Sequence, residues 1–348
     1  MNTQSLTQKI FKVLTWVVLF LLILAIVGTI YQTAATEADK KNFPPPGNLI
    51  DVGGFKMHIY CMGQGNPTVI LEALSGGFSS FWAWVQPEVA KQVRVCAYDR
   101  AGFGWSENDP EPVSPQRTAQ NLHALLVNAG IEGPFVMVGH SIGGLYVREY
   151  AALYPQDVAG MVLLDSSHPD QFVRYPEMLK GDTRMLHHMW LIQTLLRLGI
   201  GHAYFALGGE VDFADLPQRQ HDEVAAAWSS QEYWQSMQST MSLGAKIFQQ
   251  AHDLGSLGDL PLAVITRGEG VDDGWREMQS ELAALSTNSI HITVDGSTHG
   301  SLIFDPDHAH QVSQIILQVV DTVQRGTPLE SVLKFKGHWS VAATCGEC

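Results

Sequence analysis

Phe135-Val136-Met137-Val138-Gly139-His140-Ser141-Ile142-Gly143-Gly144 is the stretch on which the reading of this 348-residue chain turns. Up to Gly139 it is a short apolar run of strand character, and from Ile142 to Tyr154 the spacing becomes helical. Ser141 therefore sits in a tight turn between a strand and a helix. Three fixed positions, Gly139, Ser141 and Gly143, predict only about 0.1 chance occurrences in a chain of this length. A turn of this kind holds a nucleophile out towards solvent, and its flanking glycines leave room for neighbouring backbone. The same placement puts the N–H of Ile142 at a helix N-terminus, where it can stabilise a developing oxyanion. The competing reading is a glycine-rich helix start with an N-capping serine.

A serine hydroxyl is a weak nucleophile at neutral pH and needs a general base. Of the 14 histidines, His299 is the best placed, in the loop Gly296-Ser297-Thr298-His299-Gly300 directly after the last apolar strand. Serine first and histidine last is the chain order of the nucleophile-elbow enzymes. His140, next to the nucleophile, is expected to point away and pack. No metal-ligand spacing occurs among the histidines, so no metal and no cofactor are expected.

Working outward, apolar runs alternate with helical patterns as a parallel α/β sheet requires. Phe55–Cys61, Thr68–Ala73, Val93–Tyr98, Phe135–Gly139, Val158–Leu164, Leu262–Thr266 and Ile290–Val294 read as strands. Ala119–Ala129, Ile142–Tyr154, Trp275–Leu285 and His308–Val323 read as helices. Several strands are continuous apolar runs, which suits a sheet covered on both faces. Residues 167–258, rich in Met, Leu, Gln and Trp, hold no convincing strand and read as a helical lid inserted into the core.

The first 41 residues form a separate unit. Val13 to Ile30 is an 18-residue run without a charge, long enough as a helix to span roughly 27 Å. Lys9 and Lys12 precede it, while Glu37, Asp39, Lys40 and Lys41 nearly cancel after it, which predicts a cytoplasmic N-terminus and a catalytic domain outside the cytoplasm. The alternative is a secreted protein whose signal peptide is cleaved near Thr33-Ala34-Ala35. Pro44-Pro45-Pro46-Gly47 ends the unit. With the first 41 residues net +2 and the whole chain −14, the other 307 residues carry −16. So acidic a domain is not expected to bind nucleic acid, which requires a basic face.

From about residue 50 to 325 the chain resembles the α/β-hydrolase superfamily. The residues that carry the likeness are Asp99-Arg100-Ala101-Gly102-Phe103-Gly104-Trp105-Ser106, Gly139-His140-Ser141-Ile142-Gly143-Gly144, and His299 followed by Asp305-Pro306. The resemblance implies a doubly wound, mostly parallel sheet, with residues 42–166 and 259–330 as its core, 167–258 as its lid and 331–348 as a tail. It implies a second oxyanion donor after the strand Thr68–Ala73, where Ala73-Leu74-Ser75-Gly76-Gly77 lacks the His-Gly of many relatives and the N–H comes from Ser75, the chosen donor, or from Leu74. It leaves two places for the acid. Asp165 follows Val158–Leu164, and Asp272 follows Leu262–Thr266, with Glu269 and Asp273 beside it and Asp273 able to cap the next helix. It also implies that Cys61 and Cys96 lie on neighbouring strands within disulfide reach, the alternative being two buried thiols. Cys345 and Cys348 form a lone CxxC with no assigned role.

The chemistry implied is acyl transfer through a Ser-His-Asp triad, on a small hydrophobic ester, with the bilayer contacted through residues 13–30. Of Met185, Met189, Trp190, Tyr204, Phe205, Trp228, Tyr233, Trp234, Met237 and Met241, most are expected to form the core of the lid, and those facing the cleft to favour a hydrophobic acyl or alkyl group. Acyl transfer to an alcohol, aminopeptidase chemistry and carbon–carbon bond hydrolysis use the same triad, and an inactive hydrolase-fold binding protein is the alternative outside catalysis.

Overall fold

The computed structural model describes residues 6–209, 215–329 and 339–341. Among these residues nine strands are found: β1 (Asn48–Asp51), β2 (Lys56–Met62), β3 (Thr68–Glu72), β4 (Val95–Tyr98), β5 (Phe135–His140), β6 (Val158–Leu164), β7 (Leu262–Arg267), β8 (Ser289–Val294) and β9 (Trp339–Val341). They form one sheet in the order β1-β2-β4-β3-β5-β6-β7-β8-β9. From β4 to β8 every pairing is parallel, while β1, β2 and β9 pair antiparallel with their neighbours. The two strands without an expectation, β1 and β9, are both at sheet edges, and β9 lies within the stretch read as a tail. Cys345 and Cys348 are outside the described residues.

Among the described residues thirteen α-helices accompany the sheet. They are α1 (Leu6–Asn42), α2 (Val85–Val89), α3 (Pro115–Asn128), α4 (Gly143–Leu153), α5 (Gln171–Arg174), α6 (Pro176–Arg197), α7 (Ile200–Ala206), α8 (Gln218–Ser229), α9 (Gln231–Ser242), α10 (Gly244–His252), α11 (Asp273–Ala283), α12 (Ser301–Phe304) and α13 (Pro306–Arg325). The helix ends are written in the sequence. Ser114 caps α3 ahead of Pro115, and Asp305 accepts from the N–H groups of Asp307 and His308 ahead of Pro306. Gly326, at φ 64°, closes α13.

Alternation along the central strands explains why both faces are covered. Val136, Val138, Val162 and Leu164 pack with α2, α12 and α13 on one side; Met137, Met161, Leu163 and Val264 pack with α3, α4 and α11 on the other. All of these strand residues are fully buried. Helices α5 to α10 all fall between β6 and β7, in the stretch expected to be helical and without strands among its described residues.

Helix α1 runs unbroken for 37 residues, well past the apolar run 13–30, and stops short of the proline triplet. Among the described residues it is the one helix long and apolar enough to cross a membrane. Cys61 and Cys96 face one another across the β2–β4 pair and are joined by a disulfide, with S–S 2.05 Å.

Candidate active site

The parallel order of the sheet brings the ends of β5, β6, β7 and β8 to one edge, and each contributes one part of the site. At the end of β5, Ser141 has φ 57°, a left-handed conformation that a residue with a Cβ adopts only when its surroundings hold it there. The holding bonds are clear. Ser141 N–H donates to Leu164 O at 3.0 Å, and its carbonyl accepts from the N–H groups of Gly144 and Ser167 at 3.0 and 2.9 Å. The glycines do what close approach demands. A Cβ on Gly143 would lie 2.7 and 2.9 Å from the carbonyl oxygens of Glu72 and Ala73, and one on Gly139 would meet Gly143 O at 2.6 Å.

Asp165, at the end of the adjacent β6, is among the described residues the other non-glycine residue with positive φ, at 39°. Its fully buried carboxylate accepts bonds from His299 Nδ1 at 2.5 Å, from Trp275 Nε1 at 2.8 Å, and from both the guanidinium and, at 3.5 Å, the backbone N–H of Arg267 at the end of β7. Burial alone would raise the Asp165 pKa, but the bond and charge of His299, with Arg267 and Trp275, outweigh it and hold the pKa at about 2. Arg267 in turn lies over the Trp275 ring, 4.6 Å from its centroid.

His299 follows β8. Its loop is fixed by Ser297, whose hydroxyl donates to Val294 O at 2.7 Å and accepts from Gly268 N–H at 3.2 Å, while its carbonyl accepts from Glu269 N–H at 2.8 Å. His299 and Ser141 line one cleft of about 450 Å³, together with Gln171, Tyr175, Met178, Arg267 and Trp275. His140 is wholly buried at an edge-on angle to Trp82, and burial followed by the nearby His299 pushes its pKa well below the ordinary imidazole value. That is the packing role expected of it.

His299 is paired with Asp165 and not with Asp272. Asp272 lines the same cleft, but it caps α11 by accepting from Trp275 N–H at 2.9 Å, and it also takes the hydroxyl of Tyr175. The cap expected of Asp273 thus belongs to Asp272, and Asp273 lies in the first turn. Ile142 heads α4, and its N–H has no acceptor among the described residues. Ser75 is not among the residues lining the cleft; its hydroxyl faces Met237 Sδ at 3.8 Å. The Gly143 approach to Ala73 nevertheless puts the loop beginning at Ala73 against the start of α4.

Of the ten lid residues, most of which are expected to pack, five pack against the core and none lines the cleft. The cleft takes Gln171, Tyr175 and Met178 from the insertion, whereas Phe205, Trp228, Tyr233, Trp234 and Met237 pack against the core on the α13 side of the sheet. Three residues that matter had no sequence expectation. Arg267 and Trp275 surround Asp165, and Glu72 forms a buried pair with Arg100. Arg100 also donates to the carbonyls of Ala73 and Leu74, both at 2.6 Å, so it fixes the loop carrying Ser75. Asp99 gathers Ser79 N–H at 2.7 Å, Trp105 N–H at 2.9 Å and the His58 ring at 2.9 Å, which accounts for the structural role of the segment 99–106.

A model of the alpha/beta hydrolase family matches residues 73–315. The chain belongs to that family. An uncharacterized protein of Schizosaccharomyces pombe is 26% identical over 268 residues, covering 74% of this chain and 47% of its own length. A 2-hydroxymuconate semialdehyde hydrolase of Pseudomonas sp. (strain CF600) is 32% identical over 130 residues, covering 36% of this chain and 46% of its own length. The chain thus spans about half the length of each of these curated relatives. Among solved structures, a thermophilic esterase from Thermogutta terrifontis aligns with TM-score 0.52 and 18% identity over 79% of this chain and 97% of its own, a likeness of fold.

Proposed function

We propose that this alpha/beta hydrolase is a membrane-anchored serine esterase acting on a small hydrophobic ester. The observation that carries the reading is the 2.5 Å bond from His299 Nδ1 to buried Asp165, with Ser141 on the same cleft at a strand-to-helix turn. In this scheme His299 Nε2 takes the proton of Ser141, and the oxygen attacks the ester carbonyl. The N–H of Ile142 receives the oxyanion with a second N–H from the loop 73–77 packed beside it, the alcohol leaves with the proton held by His299, and water releases the acyl group by the same route. Asp165 fixes the histidine tautomer and offsets the imidazolium charge; with a pKa at about 2 it is a carboxylate throughout the working range.

Met178, Tyr175 and Trp275 give the cleft apolar walls, which favour a hydrophobic acyl or alkyl group. The span 13–30 serves as the anchor, with the N-terminus cytoplasmic. A Cys61–Cys96 disulfide fits a domain exported to an oxidising compartment.

A fluorophosphonate probe tests the proposal. Mass spectrometry of the labelled chain should find the adduct on Ser141 and none in Ser141→Ala. A folded wild-type chain that takes no label would reject the esterase reading and favour a binding role. The similarity to the 2-hydroxymuconate semialdehyde hydrolase supports one second reading, carbon–carbon bond hydrolysis. A chain that labels at Ser141 and cleaves a semialdehyde substrate while leaving short and medium esters intact would favour it.

A further inference from the structure

The second half of α1 does not leave the domain freely; it is docked on the helical insertion. Gln32 donates to Ser229 O at 2.9 Å, and His202 bonds Gln32 at 2.9 Å and Asp39 at 2.8 Å. Ala25, Gly28, Gln32, Ala35, Thr36 and Asp39, at helical spacing, are the wholly or partly covered positions of this segment. At Gly28 the contact is so close that a Cβ would strike the carbonyl of Leu198, in the turn between α6 and α7.

This docking begins inside the apolar run. Ala25 to Ile30 is six residues, or about 9 Å along the axis, and it belongs both to the membrane span and to the face packed on the insertion. A helix crossing the bilayer through residues 13–30 would therefore carry the α6–α7 corner down to the level of the headgroups and upper acyl chains, the depth of about 5–10 Å at which interfacial helices lie.

The surface of that corner has the matching chemistry. Ile200, Tyr204 and Leu207 stand at i, i+4 and i+7, and are 46%, 54% and 88% exposed. Leu191 and Leu195, one turn apart on α6, are 40% and 37% exposed. Leucine and isoleucine left exposed next to an apolar span need a cover, and a tyrosine ring suits the boundary between acyl chains and headgroups.

We propose that the α6–α7 corner is seated in the bilayer, as a second membrane contact besides the spanning helix. The inference rests on the anchor reading given above. Its consequence is mechanical. Helix α6 runs from Met178 at the cleft to Arg197 beside the seated corner, about 30 Å, so one end of the insertion is held at the membrane while the other borders the site.

The test uses the full chain in vesicles of phosphatidylcholine with a minor share of phosphatidylglycerol. With Cys345→Ser and Cys348→Ser in place, single nitroxide labels are introduced by Ile200→Cys, Leu207→Cys, Leu21→Cys in the span, and Val127→Cys on exposed α3. The ratio of oxygen to nickel-chelate collisions should be at least roughly threefold higher at 200 and 207 than at 127, approaching that at 21. A high ratio at 21 with the ratio of 127 at both 200 and 207 would overturn the seating and leave the anchor standing. Aqueous values at all four positions would overturn the anchor reading and the seating with it. Dipolar coupling between labels at 207 on separate chains, with low access to both reagents, would assign the face to a second copy and overturn the proposal.

Discussion

His299 reaches Asp165 across 134 residues of chain, its Nδ1 2.5 Å from one carboxylate oxygen, while Trp275 holds the other oxygen at 2.8 Å. Because parallel neighbours β6, β7 and β8 end at one edge, the carboxylate, the arginine that flanks it and the histidine loop arrive there together. The bond fixes the Nδ1 proton between the two side chains and leaves Nε2 as the acceptor towards the cleft.

Asp165→Asn is expected to lower kcat on a short activated ester by about four orders of magnitude, because the amide favours the wrong imidazole tautomer. Asp272→Asn should stay within a few-fold of wild type, since asparagine is as good an N-cap as aspartate. Kinetics of both variants beside wild type decide the matter; a larger loss in Asp272→Asn would reverse the assignment.

The fold was legible because its strongest strands are buried on both faces and so read as continuous apolar runs, as Val158–Leu164 does. β1 and β9 lacked that signal because edge strands need no such run, and Asn48-Leu49-Ile50-Asp51 is too short to show alternation. Of the site, Ser141 and His299 lie in local patterns. Asp165 and Asp272 could not be separated by sequence, since each follows an apolar strand; what separates them is that Tyr175 and a helix start consume Asp272. Arg267 carried no sequence signal, because its partner is 102 residues away.

Acid stability should carry the signature of Asp165. Its folded pKa is at about 2, against 3.8 ordinarily, so the contribution is fully present above pH of about 4 to 5 and is lost as pH falls through about 2. That difference corresponds to about 2 kcal/mol. Urea unfolding of wild type and Asp165→Asn should show the gap between them narrowing by about that amount from pH about 5 to about 2; a gap constant with pH would refute the assignment of the low pKa.

Gly143→Ala should destabilise the fold by about 2 kcal/mol or more, because a methyl group would press on two carbonyl oxygens of the β3 end that the backbone cannot easily move. Thermal unfolding of the variant measures it. Gly181→Ala, where a Cβ meets nothing within 4 Å, is the comparison and should be neutral or slightly stabilising.

The Cys61–Cys96 bond joins residues 35 apart in sequence and directly opposed across β2 and β4. Closing a loop of that length restricts the unfolded chain, an effect worth about 2–4 kcal/mol. The site itself lies elsewhere, at the ends of β5 to β8, so reduction should weaken the protein without touching the chemistry. Wild type treated with a thiol reductant under mild denaturant is therefore expected to unfold at lower urea concentration, with kcat at neutral pH unchanged while it remains folded. The double variant Cys61→Ala/Cys96→Ala should behave likewise and show no further response to reductant. Loss of activity in a folded, reduced chain would instead mean that the β2–β4 pair is coupled to the loop 73–77 through Arg100, two residues beyond the end of β4, the strand that carries Cys96.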